Sequence, residues 1–301
     1  MEHLSFPPLT RFAVCGGTHG NEMTGVHVVR QMKKNKVDKV GHASVMTVLS
    51  NPEAVKECRR APLGPSSTHE MKRAKELNAL LGPKGSPEAV DLLCDLHNTT
   101  SNMGPCFILS NQDWIVMHIC KYVQSKALNW PVALIKMGED ESQTYSLDTV
   151  GKHGFSLEVG PQPTGVVRAD IYNMVKEILE LIFEWLQKFN SGCIFEGGQL
   201  EAFKWTKTID YPRDPSTNEI TAAIHPQLQD NDFKLLQPGD PIFLTFTGET
   251  VTHQGEAAYP FFVNECAYYE KKIAFHLAEK ISISIPSISM DKSIRINKKN
   301  I

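Results

Sequence analysis

The chain has 301 residues, 41% of them hydrophobic and 22% charged, with 31 Lys+Arg against 34 Asp+Glu for a net charge of −3. That is enough for one large domain or two of ordinary size, with ample apolar side chain for a core, so disorder as the default state is excluded. The near-neutral balance also excludes nucleic acid as the main partner and long-range attraction to an anionic membrane.

Residues 1–10 carry an early acid, Glu2, and Pro7-Pro8, but no apolar core, so no secretory signal is expected there. No stretch approaches the ~18–20 apolar residues of a membrane-spanning helix. Residues 11–15 form a short apolar run that stops at Gly16-Gly17 and predict a buried strand feeding a turn. Residues 22–34 follow, with Met23, Val26, Val29 and Met32 at spacings of three, and predict a helix. Residues 43–49 read as a strand ended by Ser50-Asn51-Pro52, and residues 70–81 as a helix halted by Gly82-Pro83. Residues 90–96, 132–135 and 155–159 are expected strands. Residues 115–126 and 169–189 are expected helices, the second amphipathic through Ile171, Val175, Ile178, Leu181, Ile182 and Trp185.

Strand and helix thus alternate to about residue 190, which predicts an α/β fold with a mostly parallel sheet and flanking helices. In such folds ligands lie beyond the carboxyl ends of the strands. After Asn190-Ser191-Gly192 the segments become short and β-like (200–209, 220–224, 241–247, 259–263, 281–285), separated by turn dipeptides. The expected division is an α/β domain over 1–191 and a smaller β-rich domain over 192–301, with a frayed Lys-rich tail from about 291. Seven scattered cysteines, odd in number and without a Cys-x-x-Cys pair, predict reduced thiols in the cytosol.

Three strand ends hold the chemistry. Gly16-Gly17-Thr18-His19-Gly20-Asn21-Glu22 puts an imidazole and a carboxylate three residues apart where strand becomes helix. There the two can converge on one point. His-x-x-Glu alone reads more simply as a helix N-terminus with an acidic first turn. His97 leaves the next strand in Asp95-Leu96-His97-Asn98-Thr99-Thr100, so that His19, Glu22 and His97 match the His₂Glu set of one class of catalytic zinc sites. Three ligands leave a fourth position open, and Asp95, alternating with His97 along the strand, is placed to orient it. Otherwise His97 simply caps a strand by hydrogen bonding. Glu158, in Leu157-Glu158-Val159-Gly160-Pro161, is an acid in an apolar strand, costly to bury without a role or partner. Beside a metal it is a general base; otherwise it pairs with a helix Lys.

These blocks, with Val167-Arg168-Ala169-Asp170, Asp210-Tyr211-Pro212-Arg213, His225-Pro226-Gln227-Leu228-Gln229-Asp230 and Asn264-Glu265-Cys266-Ala267-Tyr268-Tyr269-Glu270-Lys271-Lys272, resemble the aspartoacylase/aminoacylase-3 family in order over about residues 10–285. The resemblance implies a zinc carboxypeptidase-like α/β domain followed by a β-rich domain that narrows the mouth of the site. It implies hydrolysis of an N-acyl, chiefly N-acetyl, amino acid to a carboxylate and the free amino acid, with one Zn²⁺ per chain. By motif, His19, Glu22 and His97 resemble the zinc ligands and Glu158 the general base and later proton donor. Arg60 resembles the residue that polarises the scissile carbonyl, and Tyr268 a substrate contact. The resemblance further implies a small-molecule partner only, a homo-oligomer, and a cytoplasmic protein that can sit peripherally at the apical membrane.

Within the family, aspartoacylase places an Arg ten residues before the catalytic Glu to bind a second substrate carboxylate. Here Asp148 stands there, close to Tyr145, and its charge would repel that carboxylate. The pair Tyr145 and Asp148 therefore points to the aminoacylase-3 branch, which acts on N-acetyl aromatic amino acids and mercapturates (N-acetylcysteine S-conjugates), rather than to N-acetyl-aspartate. One departure is large. Relatives carry an Asp-Leu-Asn-Arg motif soon after the Arg that matches Arg60, and its Asn and Arg grip the substrate α-carboxylate. Here Arg60 is followed by Ala61-Pro62-Leu63-Gly64-Pro65-Ser66-Ser67-Thr68-His69-Glu70, without that motif. Losing such a clamp costs roughly 2–5 kcal/mol. Arg59, Lys72 and Arg73 are the nearest cations in sequence, and each reads more simply as solvated loop or helix charge. Two other readings are a zinc exopeptidase of the same fold and a shortened zinc-binding protein of low or no activity.

Overall fold

The computed structural model describes residues 2–60, 68–138 and 146–294. From the N-terminus come β1 (His3–Phe6), β2 (Arg11–Gly16), α1 (Met23–Lys34), β3 (Lys39–Val40) and β4 (Ala43–Leu49). Next are α2 (Pro52–Lys56), α3 (Thr68–Leu81), β5 (Leu92–Asn98), β6 (Gly104–Leu109), α4 (Trp114–Lys126), β7 (Ala133–Lys136), β8 (His153–Gly160) and α5 (Ala169–Asn190). The remainder is β9 (Gly198–Ile209), β10 (Ala222–Ile224), β11 (Pro241–Thr245), β12 (Thr250–Thr252), β13 (Tyr259–Phe261), β14 (Phe275–Ile285) and β15 (Ser287–Met290). Every element expected from the sequence is present, with ends shifted by a few residues. None of the described helices is long and apolar enough to cross a membrane.

One sheet dominates, in the order β13-β14-β9-β7-β6-β8-β5-β2-β4-β3. Its centre, β4-β2-β5-β8, is parallel, with Cys15, Asp95 and Ser156 level with one another. The sequence reading missed β6, which runs antiparallel to β8. Residues 99–103 between β5 and β6 are too few for the crossover that a parallel pair requires. One face of the sheet packs Leu92, Leu96, Phe107, Phe155 and Leu157 against α1, α4 and α5. The long α5 buries Ile171, Val175, Ile178, Ile182, Trp185 and Phe189 there, a stripe at helical spacing. The other face carries Ala13, Cys15, Leu93 and Val48 under α3, and Asp95, His97 and Glu158 alternate onto it.

Past α5 the chain does not leave this sheet. β9 runs parallel to β7 and antiparallel to β14, so the sheet continues across the expected boundary at 191/192. A separate core forms beyond it from Tyr211, Ile224, Leu228, Phe243 and Phe275, beside the small sheet β10-β11-β12. At the other end β1 pairs in parallel with β15. Residues 291–294 form a turn tied down by the Asp291 N–H donated to the Phe6 carbonyl at 2.7 Å. The rest of the Lys-rich segment expected as a tail from about 291 lies outside the described residues.

Candidate metal centre and active site

The turn after β2 works because glycine stands where backbone must touch backbone. A Cβ on Gly16 would lie 2.5 Å from the Gly25 carbonyl oxygen, and one on Gly20 would lie 2.0 Å from the Ala54 carbonyl. The turn delivers His19 and then Glu22 at the N-cap of α1. Glu22 does not cap its own helix. Asn98 accepts the Thr24 N–H instead, at 3.1 Å, and the Asn98 side chain also takes Gln162 Nε2–H at 3.0 Å and donates to the Val159 carbonyl at 3.1 Å. Thr24 Oγ1 donates to Gln162 Oε1 at 2.9 Å, closing the set. Three strand ends are thus stitched together, and the Glu22 carboxylate is released toward the site.

His19, Glu22 and His97 present donor atoms that all lie within 4.8 Å of one another. His97 Nδ1 is 2.9 Å from Glu22 Oε2, which also accepts the Asn98 N–H at 3.1 Å. On the far side of the ring, His97 Nε2 meets Asp95 Oδ2 at 2.8 Å. Asp95, 1% exposed, is itself held by Thr18 Oγ1–H at 2.8 and 2.9 Å. His19 Nδ1 is buried without a hydrogen-bond partner. A buried imidazole with an unpartnered nitrogen, clustered with a second imidazole and a carboxylate, fits a divalent cation, and two imidazoles with one carboxylate suit Zn²⁺.

Burial opposes charge throughout the cluster, and the neighbours sort the groups. Burial pushes His19 down to about 4. Burial also opposes the charge on Glu22, yet His19 and His97 hold this carboxyl below its usual range. His97 is likewise opposed by burial, but Asp95 and Glu22 hold it well above an ordinary imidazole. A cation bound at His97 must displace that proton, so affinity falls as pH falls.

Glu158 lies next to His97 in register on β8 and is 9% exposed. Burial, then the charge of Glu22, pushes its carboxyl well above the usual carboxylate range. That movement is toward the pKa a general base needs near neutral pH. Arg60 Nη2 stands 3.4 Å from His19 Nε2, and Arg60 Nε is buried without a partner. The Arg60 guanidinium carbon lies 5.9 Å from the centre of the Tyr268 ring, so Tyr268 reaches the cluster from the C-terminal part of the chain.

The link that brings Tyr268 there is Glu265, which the sequence reading did not single out. Its Oε2 accepts from Thr99 Oγ1, from Thr100 N–H at 2.7 Å and from Thr100 Oγ1 at 3.0 Å. Its Oε1 accepts the Ala267 N–H at 3.0 Å, capping the short 3₁₀ turn Cys266–Tyr268. Thr18, Asn98, Gln162 and Glu265 were missed because each acts by holding a neighbour. Only their place beside the three motifs hinted at a role.

Asp148 is 4% exposed, and Ser156 Oγ donates to it at 3.4 Å. Burial pushes its carboxyl upward, and Asp95 adds to the effect. Tyr145 lies outside the described residues. Arg59 is committed to Glu57 and to Glu70, the latter at 2.8 Å. Arg73 is committed to the carbonyls of Leu49 and Ser50, at 3.2 and 2.6 Å, and to Glu76. Both are held by groups of the chain itself, where the sequence reading has them as solvated charge.

Residues 8–186 match the family model described as succinylglutamate desuccinylase/aspartoacylase catalytic domain. The chain belongs to this family. Residues 198–280 match the AstE/AspA barrel-sandwich hybrid domain. The chain is similar to a Danio rerio N-acyl-aromatic-L-amino acid amidohydrolase (carboxylate-forming) A, with 53% identity over 96% of this chain and 95% of the relative. That alignment runs over 311 positions, more than the 301 residues here, so the relative has residues at places where this chain has none. The chain is 37% identical to Rattus norvegicus aspartoacylase over 93% of its length and 96% of the relative. The crystal structure of murine aminoacylase 3 superposes with a TM-score of 0.89 at 39% identity, covering 94% of this chain and 99% of that one. The α/β fold with a mostly parallel sheet, flanking helices and a β-rich C-terminal part is therefore the fold of this protein.

Proposed function

We propose that this protein is a zinc-dependent amidohydrolase that removes the acyl group, chiefly acetyl, from N-acyl aromatic amino acids and mercapturates. The products are a carboxylate and the free amino acid. The observation that carries the reading is one constellation. A three-ligand His19/Glu22/His97 set lies beside a buried carboxyl, Glu158, and an arginine with an unpartnered buried N–H, Arg60. The names of the relatives above support the substrate class. Asp148 supports the aromatic branch over N-acetyl-aspartate, because a buried acid beside Ser156 offers nothing to a second substrate carboxylate.

His19, Glu22 and His97 would hold Zn²⁺, which when bound supplies Lewis acidity that acidifies water and polarises a carbonyl. The chain's own residues do the rest. Glu158 takes a proton from the attacking water as oxygen adds to the acyl carbon. Arg60 donates hydrogen bonds to the oxygen on which negative charge gathers. Glu158 then hands its proton to the amide nitrogen as the C–N bond breaks, which leaves the acid and the free amine. No covalent intermediate is required, so no cysteine serves as nucleophile. All seven cysteines are free thiols, four of them buried, which suits a reducing compartment such as the cytosol.

The test is turnover of N-acetyl-tyrosine, a mercapturate and N-acetyl-aspartate by metal-analysed protein. The expected result is about one zinc per chain, with the aromatic substrate and the mercapturate preferred to N-acetyl-aspartate. Zinc bound without turnover of any of the three would refute the enzymatic reading and leave a zinc-binding protein.

A further inference from the structure

Beside the ring of Tyr268 stand two cations, of which the chemistry above uses only Arg60. Lys271 Nζ lies 4.9 Å from the centre of the Tyr268 ring, and the Arg60 guanidinium carbon lies 5.9 Å from that same centre. Two positive charges thus share one aromatic side chain at the mouth of the site. They are close enough to feel each other. Burial first, and the charge of Arg60 second, hold the Lys271 ammonium below its ordinary value. Among the described residues neither cation forms an ion pair. Glu265 acts on Lys271 in the opposite sense, and its two oxygens are taken up by Thr99, Thr100 and the Ala267 N–H.

Two cations at one ring, neither bonded directly to an acid, offer a place for an anion. An N-acyl amino acid brings one, its α-carboxylate, a few bonds from the acyl carbonyl. Other sources of charge for it are poor. Arg59 and Arg73 are held by Glu57, Glu70 and Glu76 and by backbone carbonyls. Residues 61–67 contain no charged side chain at all. We propose that Lys271, seated on Tyr268 beside Arg60, is the residue that binds the substrate α-carboxylate in this chain. The inference rests on the amidohydrolase reading above and names the contact that reading lacked. Arg60 is then left free for the scissile carbonyl. A lysine is a point charge without the fork of an arginine, so the grip is monodentate and salt-sensitive.

The experiment compares N-acetyl-L-tyrosine with N-acetyl-L-tyrosinamide, which lacks the carboxylate. Binding is measured calorimetrically on Glu158→Gln protein, so that turnover does not intervene. Adding Lys271→Met keeps an apolar stem on the Tyr268 ring and removes only the charge. The expected result is a loss of about 10–100-fold in affinity for the acid, the scale of one charge-assisted hydrogen bond. Affinity for the amide should stay unchanged, and Lys271→Arg should restore the acid. In otherwise native enzyme, Lys271→Met should raise KM far more than it lowers kcat. Equal weakening of acid and amide, unchanged affinity for the acid, or failure of the acid to bind the Glu158→Gln protein would each overturn the inference. If the native enzyme turns over no acyl amino acid, the amidohydrolase reading fails, while the acid-against-amide comparison still reads the Lys271 contact.

Discussion

The side chain of Asp95 offers the sharpest test of how the proposed metal centre is built. It is 1% exposed and faces two donors, His97 Nε2 at 2.8 Å and the single Thr18 hydroxyl, whose Oγ1 lies 2.8 and 2.9 Å from the two carboxylate oxygens. Asp95→Ala strands the His97 Nε2–H and the Thr18 hydroxyl in a buried setting, and it frees the imidazole to rotate away from Glu22. Asp95→Asn keeps the shape but turns one acceptor into a donor facing those two donors, so it should do little better. Removing such an outer partner lowers metal affinity by about 10–100-fold, or roughly 1.4–2.7 kcal/mol. The assay is competition for Zn²⁺ against a chromophoric chelator at fixed pH. The zinc dissociation constant should rise by that factor, and kcat should recover when zinc is in excess, because the three ligands and Glu158 are all retained. Thr18→Val, which removes only the outer of the two links, should cost clearly less. An unchanged zinc dissociation constant in folded Asp95→Ala would refute the orienting role. A permanent loss of kcat at saturating zinc would place Asp95 in the chemistry itself.

Glu158→Gln should keep the fold and bind zinc as the native protein does, yet lose about 10²–10⁴ in kcat, since an amide cannot accept the proton; near-native kcat would make Glu158 a structural group. Asp232 is 8% exposed, accepts the Val263 N–H at 3.0 Å, and has a second oxygen without a partner. Burial pushes its carboxyl up to about 7. The folded state therefore holds this proton more tightly than the unfolded chain, and stability declines as pH rises from about 4 toward 7. Asp232→Asn removes that slope, so it should stabilise by roughly 1–4 kcal/mol at pH 8 and by much less near pH 4; equal effects at both pH values in denaturant titrations would refute the assignment. Grafting a family-length segment with Asp-Leu-Asn-Arg after Arg60 should lower KM for N-acetyl-tyrosine by adding a bidentate clamp, and an unchanged kcat/KM in a folded graft would mean that the cations already present suffice.

Local pattern was enough to read much of this protein from its amino-acid order. The α5 stripe, the alternation of apolar strands with helices, and the glycines after β2 each reflect a constraint that acts over one or two turns or strand repeats. His19, Glu22 and His97 could be named together because each sits where a strand ends, and a parallel sheet brings such ends to one edge. Antiparallel β6 was invisible, since Gly104-Pro105 breaks its pattern and its place depends on β8, far along the chain. The continuation of the sheet through β9 and β14, and the pairing of β1 with β15, are long-range hydrogen bonds of the same kind. Tertiary structure alone decided how the site is held. Asn98 releases Glu22 by capping α1 in its place, Asp95 aims His97, and Glu265 carries Tyr268 and Lys271 across to Arg60. Those contacts join residues up to 208 positions apart, and no local periodicity encodes a distance that only the folded backbone closes.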